Sequence, residues 1–183
     1  EGGPHQAIRI MLPTINNILY LTDLSKNSVY VFRYAVQLAK TFHAKITILH
    51  VLKNIDPTME VPIIVRMGEE AYQKLIRERE QEIIDGIRDR LKTFIKNELQ
   101  ENAEESGLVS SIHVHEGEPV AEILEAAERF NSDLLVMGDH SKGRLAYTFL
   151  GSTAEKILRR SRRPVLVVPI PAKGAKEEND ISV

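Results

Sequence analysis

Short apolar runs alternate along this chain with longer segments whose apolar residues recur at helical spacing. That alternation constrains the fold more than any other feature. Runs of this length that are rich in β-branched residues suit strands, and apolar residues at intervals of three and four suit helices. A strand, a helix and a second strand close into a right-handed crossover, and a series of such units builds a parallel sheet. Residues 18–22 (Ile-Leu-Tyr-Leu-Thr), 46–51, 109–115, 134–137 and 165–168 read as the strands.

Helical patterns fill the gaps. Val29, Phe32, Val36 and Ala39 follow the first strand, with Ser25 or Ser28 as the expected cap. Residues 53–68 carry Pro57 and Pro62 and read as a mobile loop over one end of the sheet. A long amphipathic helix is then expected over 69–105, with a stripe of Ile76, Ile83, Ile87, Leu91, Phe94 and Leu99, and Gly107 as its stop. Pro119 suits the first turn of the next helix, whose inner face is Val120, Ile123, Leu124 and Ala127. The last helix is expected over 152–160. The order is therefore β-α-β-α-β-α-β-α-β, with no internal repeat and no domain boundary. Residues 1–15 read as an N-terminal extension, 16–170 as the domain and 171–183 as a polar, disordered tail.

Composition excludes several functions. The net charge of −2 offers nucleic acid no general electrostatic attraction. With no cysteine, thiol catalysis, disulfides and Cys-ligated zinc are ruled out. No apolar run approaches the ~20 residues that span a bilayer, and residues 1–6 lack the apolar core of a signal peptide. A cytoplasmic protein is expected.

In open parallel sheets, ligands sit beyond the carboxyl ends of the strands where the strand order reverses. That rule selects the loops after the first and fourth strands. The first carries Thr22 and Asp23. The second runs from Gly138 to Gly151 and contains Asp139, His140, Ser141, Lys142 and Gly143. Gly138 has no Cβ and lets a ligand approach the backbone closely. Gly151, Ser152 and Thr153 would present backbone N–H groups at a helix N-terminus, an arrangement that suits phosphate. The plainer alternative is that the glycines only make turns and Ser152 caps the helix. Neither a G-x-x-x-x-G-K-[ST] loop nor a G-x-G-x-x-G fingerprint is present.

The stretch Gly138-x2-Ser141-x9-Gly151-Ser152 resembles the G-x2-G-x9-G-[S/T] nucleotide-binding signature of universal stress proteins. Its flanks, Leu135-Val136-Met137 and the run from Arg162 to Val168, match as well. Residues 18–25 resemble the family's first strand and acidic loop, 48–51 its second strand, and Gly117-Glu118-Pro119 the turn before its third helix. The resemblance covers residues 16–169.

It implies a single three-layer α/β domain of the adenine nucleotide alpha hydrolase-like kind, with a five-stranded parallel sheet in the order 3-2-1-4-5. It also implies ATP or AMP as ligand, with Mg²⁺ accompanying the phosphates. Asp23, flanked by Leu21 and Thr22, would contact ribose, and Val51 adenine. Gly138, His140, Ser141, Gly151, Ser152 and Thr153 would surround the phosphates, and Met137 would also line the nucleotide site. A homodimer through residues 165–168 is implied, and an uncovered apolar edge strand favours such pairing. Two positions depart from the family pattern. Ser141 replaces the second glycine, at a cost of about 1–2 kcal/mol if the backbone there is left-handed. Leu21 stands where proline is common.

Other residues carry weaker signals. His113 and His115 share one face of a strand and could form half a metal site, though solvated or edge histidines are the plainer reading. Asp139 could hold Mg²⁺ or simply shape a turn, and His140 has no visible acid–base partner. Arg159, Arg160, Arg162 and Arg163 suit a helix C-terminus. The charges of residues 77–90 read as a solvated helix face. The expected function is a regulatory module that binds ATP or AMP and acts through unidentified protein partners. A slow ATPase or nucleotidyl-transfer enzyme and a pure interaction protein are the alternatives.

Overall fold

The computed structural model describes residues 12–25, 27–53, 57–94, 107–139 and 150–170. Its centre is β1 (Asn17–Leu21), in which Ile18 to Leu21 are consecutively buried. A strand with no exposed face must be covered on both sides. β1 lies between β2 (Lys45–Leu52) and β4 (Leu134–Gly138), with Ile18 in register with Ile46 and Leu134. β3 (Val109–Glu116) and β5 (Val165–Val168) form the two edges. All the pairings are parallel, and the order is β3-β2-β1-β4-β5, as expected.

Side-chain alternation divides the core in two. Ile18, Tyr20, Ile46, Ile48 and Val136 point towards α1 (Ser28–Phe42) and α3 (Glu69–Phe94), which contribute Val31, Phe32, Ala35, Val36 and Ile87. Leu19, Leu21, Leu49, Leu135 and Met137 point towards α4 (Pro119–Arg129) and α5 (Ser152–Arg160), where Val120, Ile123, Ala127 and Ile157 meet them. Asp133 ties the entry of β4 to that of β1: its Oδ2 accepts from the Asn16 and Asn17 amides at 2.8 and 2.9 Å.

The structure corrects two expectations. Residues 53–68 are not simply a loop, because Pro57–Met67 forms a helix, α2. Pro57 is its first residue, where proline's fixed φ suits a helix and its missing N–H costs nothing. Pro62 is interior and removes one backbone bond, which the helix tolerates. Gly68, at φ +85°, makes the turn into α3. Neither Ser25 nor Ser28 caps α1. Asn27 stands at the N-cap without a side-chain bond. The Ser28 amide and hydroxyl instead both donate to the Ser25 carbonyl, at 3.1 and 2.7 Å.

At α4 the expectation holds. Pro119 opens the helix, and the Glu118 carboxylate accepts from the Ala121 amide at 2.8 Å, which lowers that carboxyl's pKa. The expected helix beyond residue 94, the disordered tail at 171–183 and residues 1–11 of the expected extension lie outside the described residues. Among the described residues, no helix is long and apolar enough to cross a membrane.

Candidate functional site

The chain leaves β1 towards one edge of the sheet and enters β4 on the way to the other. The carboxyl ends of these two neighbours therefore flank the point where the order reverses. A cavity of about 410 Å³ opens there. Leu21, Thr22, Asp23, Val51, Met137, Gly138, Gly151, Ser152 and Thr153 all line it. His140 and Ser141, the other two expected site residues, lie outside the described residues, as do Lys142 and Gly143.

The loop after β1 is ordered by its own side chains. Thr22 Oγ1 accepts from the Leu24 amide at 3.1 Å, and Asp23 Oδ1 accepts from the Ser25 amide at 3.0 Å. A carboxylate offers about four lone-pair sites, so Asp23 retains acceptor capacity for a ligand hydroxyl. Leu24 sits at φ +60°, a left-handed conformation that costs a branched residue about 1–2 kcal/mol. From β2, His50 Nδ1 lies 2.7 Å from the Thr22 carbonyl. A carbonyl only accepts, so Nδ1 carries the proton of this bond. From β1, the Tyr20 hydroxyl donates to the Ser28 carbonyl at 2.7 Å, and burial pushes its pKa up to about 12. Tyr20 therefore serves as a hydrogen-bond donor rather than a proton-transfer group at neutral pH.

The opposite wall is the start of α5. Gly151 is the N-cap, with no side-chain cap, so the plainer alternative, in which Ser152 caps this helix, does not hold. The first turn of a helix leaves its amides without intrahelical partners, and Ser152, Thr153 and Ala154 from that turn all line the cavity. Asp139 fixes this wall. Its carbonyl accepts from the Gly151 amide at 2.8 Å, its amide donates to the Val168 carbonyl at 3.1 Å, and its Oδ1 accepts from the Ile170 amide at 3.1 Å. A Cβ on Gly138 would lie 2.9 Å from Ile170 Cδ1 and 3.3 Å from Val31 Cγ2. The missing side chain thus answers to core packing as well as to any approach by a ligand.

Leu49, Val51, Pro119, Ile123 and Met137 supply apolar lining between the two walls. Sequence reasoning missed His50, Lys53, Ser25 and Ser28, which also line the cavity. Ser25 Oγ is buried and has no hydrogen-bond partner among the described residues. Buried hydroxyls are nearly always paired, so this group is unusual.

The other candidates fall elsewhere. His113 stacks on Phe130 at 4.4 Å between ring centroids, and His115 Nδ1 lies 3.2 Å from Glu122 Oε2. Among the described residues, no group of three or more histidines and carboxylates is placed to hold a metal. Arg159 and Arg160 occupy the last turn of α5, where Arg159 pairs with Glu155 at 2.9 Å, and Arg163 reaches Glu128 at 3.1 Å.

Comparison with known proteins gives a consistent picture. The sequence profile of the universal stress protein family matches residues 14–169. The chain is 31% identical to universal stress protein MJ0531 of Methanocaldococcus jannaschii over 85% of its own length and 83% of that protein. It is 29% identical to universal stress protein MJ0577 of the same organism over 82% of its length and 93% of that protein. The solved structure of MJ0577 superposes with a TM-score of 0.64 at 24% identity, covering 87% of this chain and 99% of that one. A universal stress protein solved in complex with cAMP superposes at 0.51 with 22% identity, over 86% and 98% of the two chains.

Proposed function

This chain belongs to the universal stress protein family, and from that premise we propose that it is a regulatory module that binds an adenine nucleotide, ATP or AMP. One observation carries the reading: an uncapped helix N-terminus, the Asp23 carboxylate and an apolar patch converge on a single cavity at the switch point of the sheet. The α5 amides suit phosphate, because their N–H dipoles favour negative charge. Asp23 suits ribose hydroxyls as an acceptor, and Val51 and Met137 suit the flat apolar faces of a base. The relative solved with cAMP supports an adenine nucleotide as the ligand class.

Mg²⁺ would be held by the phosphates with one or two carboxylates. Asp23 and Asp139 are the described carboxylates that line the cavity. We further propose a cytoplasmic location and a homodimer formed through β5, which lies at the sheet edge.

Isothermal titration with ATP and AMP tests the reading. Micromolar binding is expected. Asp23→Ala should weaken it about tenfold, the effect of losing a charge-assisted hydrogen bond. A flat titration at high micromolar nucleotide would overturn the proposal.

A further inference from the structure

The charged outer face of α3 reads in the sequence as a solvated surface. One of its residues does something else. Arg90 crosses from α3 to the loop after β1, where its Nη1 donates to the Leu24 carbonyl at 3.0 Å. Leu24 is the left-handed residue of that loop, at φ +60°. Its neighbours on either side, Asp23 and Ser25, both line the main cavity.

Behind the loop is a second, small cleft of about 50 Å³, bordered by Leu24, Phe32, Ile87 and Arg90. It shares Tyr20, Thr22 and Ser28 with the main cavity. The loop is thus a partition, with the main cavity on one side and α3 on the other. A backbone held in a disfavoured conformation relaxes if it has room to move, and the cleft provides room. The bonds within the loop, from the Leu24 amide to Thr22 and from the Ser25 amide to Asp23, are local and would move with it. On the β2 side, His50 holds the Thr22 carbonyl. The Arg90 bond supplies a fixed point from α3, at the strained residue itself.

We propose that Arg90 is a positioning residue: it holds the loop that presents Asp23 in its binding conformation, and so couples α3 to nucleotide occupancy. The coupling rests on the nucleotide reading given above; the holding of the loop does not. Linkage is reciprocal, so whatever Arg90 contributes to ligand affinity, the ligand returns as order in α3.

Wild type, Arg90→Ala and Arg90→Lys are compared in two measurements: calorimetric titration with ATP, and hydrogen exchange of the Leu24 and Ser25 amides in nucleotide-free protein. Arg90 is exposed, so losing its one bond should leave the fold intact and lower the global unfolding midpoint by only a few degrees. Arg90→Ala is expected to weaken ATP binding about tenfold and to speed exchange of the loop amides by a similar factor, the range for a hydrogen bond to a charged group. Arg90→Lys, which keeps a cationic donor, should recover most of both losses. Unchanged loop exchange in Arg90→Ala overturns the positioning role whatever the titration shows. Faster exchange with unchanged ATP affinity overturns the coupling to ligand. A wild-type protein that binds no ATP overturns the nucleotide reading and the coupling together, and the exchange comparison still decides whether Arg90 holds the loop.

Discussion

Ser25 shows how one atom can separate folding from binding. Its hydroxyl is buried without a partner among the described residues, and Ser25 lines the cavity beside Asp23. Removing a paired hydroxyl usually costs about 1 kcal/mol, whereas removing an unpaired one recovers its desolvation penalty. Ser25→Ala is therefore expected to leave thermal stability unchanged or to raise it by up to about 1 kcal/mol. If the hydroxyl pairs with the nucleotide, the same change should weaken ATP binding several-fold. Melting curves and titrations on one protein preparation give both numbers. A variant that loses stability would mean that Ser25 is paired within the protein itself.

Sequence reading found Asp23 and Thr22 because their position after a buried strand is predictable. It missed Ser25 and His50 because their roles depend on which residues a parallel register places across the loop. Leu49 pairs with Leu21 in that register, which sets His50 beside Thr22.

Elements differ in how much of themselves they reveal. β1, β2, β4 and β5 are short apolar runs, and in β1 and β4 consecutive burial on both faces matches that pattern. α2 was hidden by its prolines: one is compatible with a helix start, and the other is tolerated in the interior because a surface helix loses only one bond. β3 shows a subtler gap. The histidine pair was legible, but its packing against α4 depended on the tertiary fold.

That packing makes stability depend on pH. Burial, then the neighbouring His115 and Arg129, holds the His113 pKa below its ordinary value of 6.5. Glu122 also faces this surface, bonded to His115. The unfolded chain thus takes up the His113 proton at a higher pH than the folded chain does. The contribution of neutral His113 is fully present above pH 6.5 and is lost as pH falls through the window below it. Urea unfolding at pH 7.5 and pH 5.5 should show a larger loss for wild type than for His113→Phe, which keeps the stacking on Phe130 without a titrating group. Equal losses would assign the pH dependence to other groups.

At the scale of the whole molecule, the open question is what covers β5. The order β3-β2-β1-β4-β5 leaves its outer side without a partner strand among the described residues. The Pro164 and Val168 carbonyls accept from Leu135 and Asp139, so they face β4. Because successive residues of a strand alternate their backbone groups between its two sides, those of Val165 and Val167 face outward. Val165, Leu166 and Val167 are only half-buried in a single copy. An apolar edge with free backbone groups pairs readily with another chain, and the proposed homodimer uses this edge.

Val167→Pro separates the two sides of the strand. It removes an outward N–H and spares the bonds to β4, a position at which an edge strand accepts proline. The fold, read by circular dichroism and melting, should survive, while sedimentation equilibrium should show a monomer where wild type is a dimer. The cavity lies within one chain, so the monomer should still bind nucleotide at close to the wild-type affinity. A Val167→Pro protein that stays dimeric would place the interface elsewhere on the surface. One that becomes monomeric and also loses ATP binding would make the second copy part of the site.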